Sequence, residues 1–245
     1  MISKNQIKWI RQLEQKKFRR RDGLFVAEGP KVVGDLMRRY QPHTVFATSS
    51  WEGTPDVEVT DDELCKVSFL QHPQQVLAVF PIPEQSAAIR TDRLSLALDG
   101  IQDPGNLGTI IRIADWFGID RIFCSPDTVD AYNPKVVQAT MGSIAHVDVV
   151  YTELSTLLTS LPADFPVYGT LLDGDNLYTQ ELSANGIIVM GNEGNGISQA
   201  IRPLVNRRLL IPCFRQGETA ESLNVAIATA ITCAEFRRRT LPVIR

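Results

Sequence analysis

Short apolar segments alternate with helix-like stretches through the last two thirds of this 245-residue chain. Strands separated by helices are typical of a mostly parallel sheet with helices on both faces. The sequence therefore predicts an α/β fold class. The segments with strand character are 94–98, 121–124, 145–150, 167–171, 187–190 and 207–211.

The first eighty residues predict a second, smaller α/β domain. Strand-like runs at 24–27, 44–47 and 76–80 accompany a helix that opens at Gly29-Pro30, where proline is tolerated in the first turn. A run rich in proline and polar residues follows and predicts a linker. The predicted division is a small domain at 1–83, a linker at 84–93 and a larger domain at 94–245.

Arg112 is the most conspicuous polar residue of the larger domain. It lies in a predicted helix after the turn residues Asp103-Pro104-Gly105. A buried guanidinium without a partner is costly, so Arg112 needs a carboxylate, a phosphate or a cleft mouth. An ion pair with Asp115 or Asp99 is an open interpretation. The apolar stripe of this helix consists of Leu107, Ile110, Ile111, Ala114 and Phe117, widened by Ile113 and Trp116.

A glycine-rich stretch follows the predicted strand at 187–190. Gly191, Gly194 and Gly196 permit close approach of the backbone to a ligand. The order G-x-x-G-x-G is not the dinucleotide fingerprint, and no Gly-Lys-Ser/Thr follows that would form a Walker loop. A strand-to-helix turn with Ser198 as helix N-cap is the alternative interpretation.

A third stretch begins at Ile211-Pro212, where proline ends a predicted strand. A long helix is predicted to start near Glu221 and to end in Arg237-Arg238-Arg239, since cations suit the negative end of the helix dipole. Ser222 and Asn224 lie in its first turn, where helix capping is the alternative to a role in chemistry. The predicted core-facing residues are Leu223, Ala226, Ile227, Ala230, Ile231 and Ala234.

The order and content of the three stretches resemble the motifs of the SpoU (TrmH-type) branch of the SPOUT superfamily, RNA ribose 2'-O-methyltransferases. The first stretch matches N-x-G-x-x-x-R at Asn106, Gly108 and Arg112, and the second matches G-N-E-G-x-G-I at 191–197. The third matches I-P followed by S-L-N-V, although the connection at 213–221 is longer than in the shortest family members. The resemblance covers about residues 94 to 239.

The resemblance implies a deep trefoil knot in the larger domain and a homodimer that packs knot to knot. It also implies that the knot loops bind S-adenosylmethionine in a bent conformation, largely through backbone groups. The residues implied for this cofactor pocket are Gly169, Thr170, Leu171, Gly191, Asn192, Gly194, Ile211 and Leu223.

Methyl transfer to a ribose 2'-hydroxyl needs removal of its proton or stabilisation of the developing negative charge. The resemblance marks Arg112 as the catalytic residue, assisted by an RNA phosphate. A guanidinium with a pKa above about 12 is a poor base, so electrostatic activation of the hydroxyl is equally consistent. The resemblance also implies that Asn106 and Asn224 orient Arg112 and the ribose. It further implies that Glu193 holds the loop or pairs with an arginine, and that Ser222 contacts substrate or cofactor.

Positive charge is concentrated at the start of the chain. Residues 1–40 contain eleven Lys and Arg against four Asp and Glu, a balance of +7, whereas the whole chain carries −3. The run at 16–21 combines cations with Phe18, which favours contact with an RNA backbone; a solvated helix face is the alternative. This region is similar to the SpoU substrate-binding domain, which shares the L30e/L7Ae fold. The predicted RNA-binding residues are Lys16, Lys17, Arg19, Arg20 and Arg21.

The cysteines and histidines form no metal-binding pattern, so no metal is expected. The sequence contains neither a long apolar segment nor a signal-peptide core, and a cytoplasmic protein without a membrane partner is expected. The predicted function is S-adenosylmethionine-dependent ribose 2'-O-methylation of RNA, with ribosomal RNA favoured because of the N-terminal domain. Methylation of tRNA is one alternative, and a non-catalytic RNA-binding or ribosome-assembly factor is another.

Overall fold

The computed structural model describes residues 2–84, 86–215 and 222–240. Its helices are α1 (Lys4–Gln12), α2 (Lys16–Asp22), α3 (Pro30–Met37), α4 (Asp61–Val67), α5 (Pro104–Trp116), α6 (Pro134–Ala139), α7 (Leu154–Thr159) and α8 (Val225–Thr240). Its strands are β1 (Leu24–Glu28), β2 (Thr44–Ala47), β3 (Val57–Glu58), β4 (Val76–Pro81), β5 (Leu94–Asp99), β6 (Arg121–Cys124), β7 (Asp148–Tyr151), β8 (Val167–Asn176), β9 (Gly186–Gly191) and β10 (Arg207–Leu210). No helix in these ranges has the length and apolarity needed to span a bilayer.

Contacts between residues divide the chain into two compact units. The first unit comprises Met1–Glu84 and Asp130–His146, and the second comprises Gln85–Val129 and Val147–Arg245. Residues 130–146, which the sequence assigned to the larger domain, therefore pack within the first unit. That the ranges 1–83 and 94–245 are two separate domains joined by a linker remains a prediction.

The first unit is built on a four-stranded sheet with the order β1-β4-β2-β3. β4 pairs antiparallel with β1 and β2, and the strands predicted at 24–27, 44–47 and 76–80 are all present. Ile10 of α1 and Leu64 of α4 pack against Phe46 and Leu77 of the sheet. These apolar contacts fix α1 and α4 on the same face of the sheet.

The segment at 130–146 adds a buried ion pair to the first unit. The Arg19 Nη2 lies 2.5 Å from an Asp130 carboxylate oxygen, and Nη1 donates to the carbonyls of Leu13 and Glu14 at 2.7 Å. Arg19 is only 1% exposed. The structure therefore corrects the prediction that Arg19 contacts RNA, because its charge and donors are already satisfied inside the unit.

The second unit contains, within the described ranges, six parallel strands in the order β10-β8-β9-β5-β6-β7. β5 and β9 are buried along their whole length, as central strands covered on both faces must be. This confirms the predicted mostly parallel α/β sheet. The largest differences from the predicted ranges are the extension of β8 to Asn176 and the later start of β7, which follows a 3-10 turn at Ser143–Ala145.

Helices cover both faces of this sheet. Ala97, Val167 and Val189 point to one face, where they pack with Leu154 of α7. Alternate residues of a strand point to opposite faces. On the other face the Tyr168 ring packs edge-on against Phe236 of α8, with centroids 4.8 Å apart, and α8 lies against α5.

α8 buries a different stripe from the predicted one. Leu223 precedes the helix and is 51% exposed, and Ile227 is 53% exposed. On α5, Trp116 is 85% exposed instead of widening the buried stripe. Apolar and small residues lie on several sides of α8, so its periodicity does not fix which side faces the sheet. The buried residues of α8 are Val225, Ala226, Thr229, Thr232, Cys233, Glu235 and Phe236.

Candidate active site

The three motif stretches follow strands whose carboxyl ends lie at one edge of the sheet of the second unit. β5 ends at Asp99, β9 at Gly191 and β10 at Leu210, and the strands run parallel. Open α/β sheets bind ligands at this edge, where loops from neighbouring strands converge. The same edge is where the sequence motifs meet.

The carboxylate of Glu193 joins the glycine-rich loop to the start of α5. Its Oε1 accepts from Asn106 Nδ2 at 2.9 Å, and the backbone amides of Gln102 and Asp103 lie 3.4 Å from its two oxygens. Asp103 also caps α5, since its Oδ1 accepts from the Asn106 amide at 2.8 Å. Carboxylates suit this position because helix N-termini present unpaired amides and a positive dipole end. Within the described residues Glu193 thus holds the loop and pairs with no arginine.

Asn106 connects the first motif to the third. Its Oδ1 accepts from Asn224 Nδ2 at 3.0 Å, and Asn224 Oδ1 accepts from the amides of Ala226 and Ile227 at 2.9 and 3.3 Å. A side-chain amide donates only through nitrogen and accepts only through oxygen. The Glu193 carboxylate therefore orients Asn106, which in turn orients Asn224. Asn224 therefore caps α8, as the capping interpretation predicted, and it also belongs to this chain of hydrogen bonds; its role in the chemistry stays a prediction.

Asn192 shapes the glycine-rich loop from within. Its Oδ1 accepts from the amides of Gly194 and Asn195 at 2.9 and 3.1 Å, and its Nδ2 donates to the Gly100 carbonyl at 2.6 Å. Its backbone amide and carbonyl both pair with Gly196 at 2.9 Å. The side chain of Asn192 is therefore used inside the protein rather than offered to a ligand.

Gly191 is required by the closeness of the loop backbone. A Cβ atom there would stand 2.2 Å from the carbonyl carbon of Gly196 and from the amide nitrogen of Ile197. The Ser198 amide donates to Asp99 Oδ2 at 2.7 Å and ties the end of the loop to β5. Ser198 does not begin an α-helix; a 3-10 turn at Arg202–Leu204 follows instead.

β8 leaves the regular sheet beside this loop. Arg208 of β10 pairs with Gly169, whereas the next residue, Leu209, pairs with Asp175. Residues 170–174 therefore have no partner in β10, and they lie at the edge where β9 and β10 also end.

The three β8 residues implied for the cofactor pocket have different surroundings. A Cβ on Gly169 would come within 2.8 Å of the Val205 side chain, so this glycine permits close packing. The Leu171 side chain is buried in the core. Thr170 is half-buried, with its Oγ1 3.7 Å from the Met190 sulfur. Leu171 can therefore meet a ligand only through its backbone.

The remaining implied cofactor residues lie on more open parts of the same edge. Ile211 directly follows β10 and is half-buried, while Gly194 and Leu223 are exposed. Apolar side chains and backbone groups suit an adenosine moiety, since its base needs an apolar surface and its polar atoms need amide and carbonyl partners. The residue types present at this edge fit a nucleoside cofactor.

Arg112 lies on the exposed side of α5. Within the described residues it makes no ion pair or side-chain hydrogen bond, so it is paired with neither Asp115 nor Asp99. Helical geometry separates Arg112 from Asn106 by about 9 Å along the axis and about a third of a turn around it. The helix that carries Asn106 therefore also presents a permanent cation, for which the described residues supply no counter-charge.

Ser222 is exposed, and it makes no side-chain hydrogen bond to a described residue. The predicted catalytic set is thus divided in the structure. Asn106, Glu193 and Asn224 are joined by hydrogen bonds, whereas Arg112 and Ser222 project from the elements that carry them. Glu221, where the sequence predicted the helix start, lies outside the described residues.

The predicted RNA-binding cations lie on α2 of the first unit. Arg20 and Lys17 are exposed, while Arg21 pairs with Asp22 through two hydrogen bonds at 2.6 and 3.0 Å. Lys17 Nζ and Arg21 Cζ each lie 4.9 Å from the centroid of the Phe18 ring. These cations occupy the Phe18 ring themselves, so the ring is not a free platform for a base. Lys16 is half-buried.

Sequence reasoning missed two groups that hold α5 in place. Asp103 received no role, although Asp before Pro at the first helical position is a recognisable N-cap signal. Arg237 was assigned to the dipole of its own helix, but its Nε and Nη2 donate to the carbonyls of Phe117 and Gly118 at 2.6 and 2.9 Å. Arg237 therefore caps the C-terminus of α5, a contact between distant segments that no local pattern predicts.

Comparison with known families settles the relationship. Residues 93–234 match the model of the SpoU rRNA Methylase family, and residues 4–78 match that of the MRM3-like substrate binding domain. The chain belongs to the SpoU rRNA methylase family. The resemblance inferred from the three motifs is confirmed, and so is the resemblance of the N-terminal region to a substrate-binding domain.

Individual relatives extend over almost the whole chain. The 23S rRNA (guanosine(2553)-2'-O)-methyltransferase RlmP of Bacillus subtilis is 34% identical, over 96% of this chain and 97% of that protein. A candidate RNA methyltransferase of the TrmH family from Porphyromonas gingivalis is 40% identical, with a TM-score of 0.89 over 98% of this chain and 100% of that one. An AdoMet-bound rRNA methyltransferase from Sinorhizobium meliloti is 29% identical, with a TM-score of 0.86 over 99% and 98%.

Proposed function

We propose that this protein is an S-adenosylmethionine-dependent RNA ribose 2'-O-methyltransferase that acts on ribosomal RNA. The observation that carries the proposal is the hydrogen-bonded chain from Glu193 through Asn106 to Asn224, which joins one residue from each of the three motifs. Membership of the SpoU rRNA methylase family supports the reaction class. A guanosine of 23S rRNA is the proposed target because the Bacillus subtilis relative is named for that activity.

When bound, S-adenosylmethionine supplies an electrophilic methyl group on a positively charged sulfur. The residues proposed to hold it are those at the carboxyl edge of β8, β9 and β10, which contribute glycine-lined turns and the apolar side chains of Ile211 and Leu223. Holding the reacting groups in line can lower the barrier by about 7–11 kcal/mol. Binding and alignment are therefore the main tasks of these loops.

Arg112 is the proposed catalytic residue. A ribose hydroxyl becomes nucleophilic as its proton leaves, and a guanidinium beside it stabilises the negative charge that develops on the oxygen. The unpaired, exposed state of Arg112 within the described chain supports this role, because an arginine neutralised by a carboxylate would offer little of its charge to the substrate. An RNA phosphate is the group proposed to pair with Arg112 in the complex.

Glu193, Asn106 and Asn224 are proposed to position the site rather than to react. Their hydrogen bonds fix where α5 and α8 begin relative to the glycine-rich loop. A shift of one of these starts would move Arg112 or the cofactor-binding loop. Ser222 is the remaining member of the proposed site, with its hydroxyl available to substrate or cofactor.

A homodimer through the second unit is part of the proposal. Trp116 of α5 and Ile227 of α8 leave apolar side chains exposed in a single chain. A second copy would bury this surface, as in other two-fold dimers whose self-complementary faces are apolar. A trefoil knot in the loops of the second unit is also proposed, on the basis of the SPOUT resemblance.

The α2 residues Lys16, Lys17, Arg20 and Arg21 are proposed to contact RNA, with Arg19 excluded by its burial. Their cations suit the phosphate backbone, which supplies most of the salt-dependent affinity of RNA-binding proteins. The match of residues 4–78 to a substrate-binding domain supports this placement. A cytoplasmic location is proposed as well, because ribosomal RNA is the proposed substrate.

Mapping of ribose methylation tests the function directly. Ribosomal RNA from cells with and without the protein is compared, and the missing methyl group is then restored in vitro with purified protein and S-adenosylmethionine. A site in rRNA that depends on the protein is the expected result. A dependent site in tRNA alone, or binding to RNA without any transfer, would contradict the proposal and favour one of the two alternatives.

A further inference from the structure

The exposed side of α1 carries a row of cations that the proposed RNA contacts on α2 do not include. Lys4, Lys8 and Arg11 recur at i, i+4 and i+7 and are all exposed, whereas Ile10 and Leu13 anchor the opposite side in the core. Residues at this spacing lie on one side of a helix. α1 therefore presents a straight cationic face about 10 Å long.

Lys4 and Lys8 make no ion pair within the described residues, whereas Arg11 lies close enough to the buried Glu28 carboxylate for its charge to favour the ionised form of that group. Three other cations of the first unit are neutralised: Arg19 pairs with Asp130, and Lys31 and Arg38 both pair with Asp35. The two lysine charges have no such neighbour, and they gain from binding a polyanion, whose counterions are then released. The charge pattern thus distinguishes the face of α1 from the face of α3.

Arg11 differs from the two lysines because its guanidinium is held in place. Its Cζ lies 5.1 Å from the centroid of the Phe69 ring, and its Nη1 donates to the Ser68 carbonyl at 2.6 Å. These two contacts hold the guanidinium over the ring, while Arg11 as a whole remains exposed. Guanidinium planes in such positions stack on unpaired nucleobases.

A buried carboxylate fixes the turn that carries this platform. Glu28, at the end of β1, accepts hydrogen bonds from the Ser68 hydroxyl and from the Phe69 amide, the latter at 2.8 Å. Phe69 is itself partly buried against the core of the first unit. The aromatic ring and the carbonyl that orient Arg11 are therefore both rigid parts of the fold.

We propose that the α1 face is a binding surface for single-stranded RNA, in which Lys4 and Lys8 contact phosphates and Arg11, backed by Phe69, stacks on a base. This inference rests on the proposed function, in which the substrate is an RNA. It extends that function by naming an RNA-binding surface separate from the proposed contacts on α2. The preorganised guanidinium separates it from a merely solvated helix face.

Fluorescence anisotropy with a short labelled single-stranded oligoribonucleotide and the full-length protein tests the surface. The double variant Lys4→Gln/Lys8→Gln should bind more weakly, and the slope of log affinity against log salt should fall by about 0.7 for each lost phosphate contact. Arg11→Lys keeps the charge but loses the planar group, so affinity should fall by about 5-fold or more with an unchanged slope. Phe69→Leu should resemble Arg11→Lys.

Arg38→Gln is the matched control, because it removes one exposed cation of the same unit whose charge is already paired. It should bind RNA like the wild type, and far-UV circular dichroism of every variant should match the wild type. Equal weakening by Arg38→Gln and by the double variant Lys4→Gln/Lys8→Gln, or wild-type affinity in Arg11→Lys, would overturn the proposal. Binding of the wild type to anionic lipid vesicles but not to the oligoribonucleotide would also overturn it.

Failure of this inference is distinguishable from failure of the proposed function. If all α1 variants bind RNA and transfer methyl groups like the wild type, the α1 face is not an RNA-binding surface, and the methyltransferase assignment is unaffected. A wild-type protein that neither binds S-adenosylmethionine nor methylates rRNA would remove the assignment, whatever the α1 variants do to RNA binding.

Discussion

Asn224 and Asn106, which are 118 positions apart in the chain, meet through a hydrogen bond of 3.0 Å from Nδ2 to Oδ1. This contact ties the start of α8 to the start of α5, and Glu193 fixes its direction from the other end. The two helices that bear the first and third motifs therefore begin at mutually determined positions.

Asn224→Asp separates the capping role of this residue from its role in the hydrogen-bonded chain. Aspartate is as good an N-cap as asparagine, so the free energy of unfolding should stay close to that of the wild type. Its carboxylate cannot donate to Asn106 Oδ1, so methyl transfer should fall, by up to about 100-fold if the geometry shifts by 1 Å. Urea denaturation and single-turnover methyl transfer measure the two effects.

Asn224→Ala is the companion variant, since it removes both functions. It should lose about 1 kcal/mol of unfolding free energy in addition to activity. Full activity in Asn224→Asp would show that the bond to Asn106 has no part in catalysis.

Arg112→Ala should lower the rate of methyl transfer by about 100-fold or more, because the charge that stabilises the developing alkoxide is removed. Since Arg112 makes no ion pair within the described residues, stability should change little. Isothermal titration with S-adenosylmethionine should give the wild-type affinity. Wild-type turnover in Arg112→Ala would remove this residue from the mechanism.

Gly191→Ala should weaken S-adenosylmethionine binding and lower the melting temperature. The added Cβ would lie 2.2 Å from backbone atoms of the loop, so the backbone of the loop must move. Gly194→Ala is the matched control for stability, because its Cβ would meet only the Asn192 Oδ1 at an ordinary 3.6 Å. Thermal denaturation without cofactor compares the two variants, and an equal loss of melting temperature would contradict the packing argument.

Arg19→Met should destabilise the protein without acting on RNA contacts directly. It leaves the Asp130 carboxylate, which is only 13% exposed, without its counter-charge, and breaking such a pair costs about 3–5 kcal/mol. Arg20→Gln, one position along, should keep the stability and weaken RNA binding instead. Urea denaturation and RNA titration of both variants check this, and the reverse pattern would restore Arg19 to the RNA-binding set.

Glu235 should make stability depend on pH in the acid range. Hydrogen bonds from Arg238 and Arg239 lower the pKa of Glu235 to about 2, whereas a free glutamate titrates near 4.3. A lowered folded-state pKa adds stability that is fully present above the unfolded pKa and is lost as pH falls toward 2. Glu235→Gln should therefore be less stable near neutrality and should show a shallower acid dependence, measured by urea denaturation at several pH values.

Much of the fold and part of the site followed from local sequence. Each predicted strand of the parallel sheet is present, and for the central strands β5 and β9 the reason is that a buried strand needs a continuous apolar run, which the sequence shows directly. The positions of Asn106, Glu193 and Asn224 also followed from their motifs. The buried side of α8 did not, because the exposed Leu223 and Ile227 fit a helical period as well as the buried Ala226 and Phe236 do.

The sequence alone determined the strand-helix alternation, the family and the residue types available for chemistry, because these depend on local pattern and composition. Only the tertiary structure decided which polar groups are already paired with other groups of the protein. Arg19 looked like its neighbours in a cationic run, yet it is satisfied by Asp130 from a segment 111 positions away, while Arg112 is left without a partner among the described residues. A buried charge needs a partner because an unpaired one is costly. Which group becomes the partner depends on the packing of distant segments, and a local sequence pattern does not show that packing.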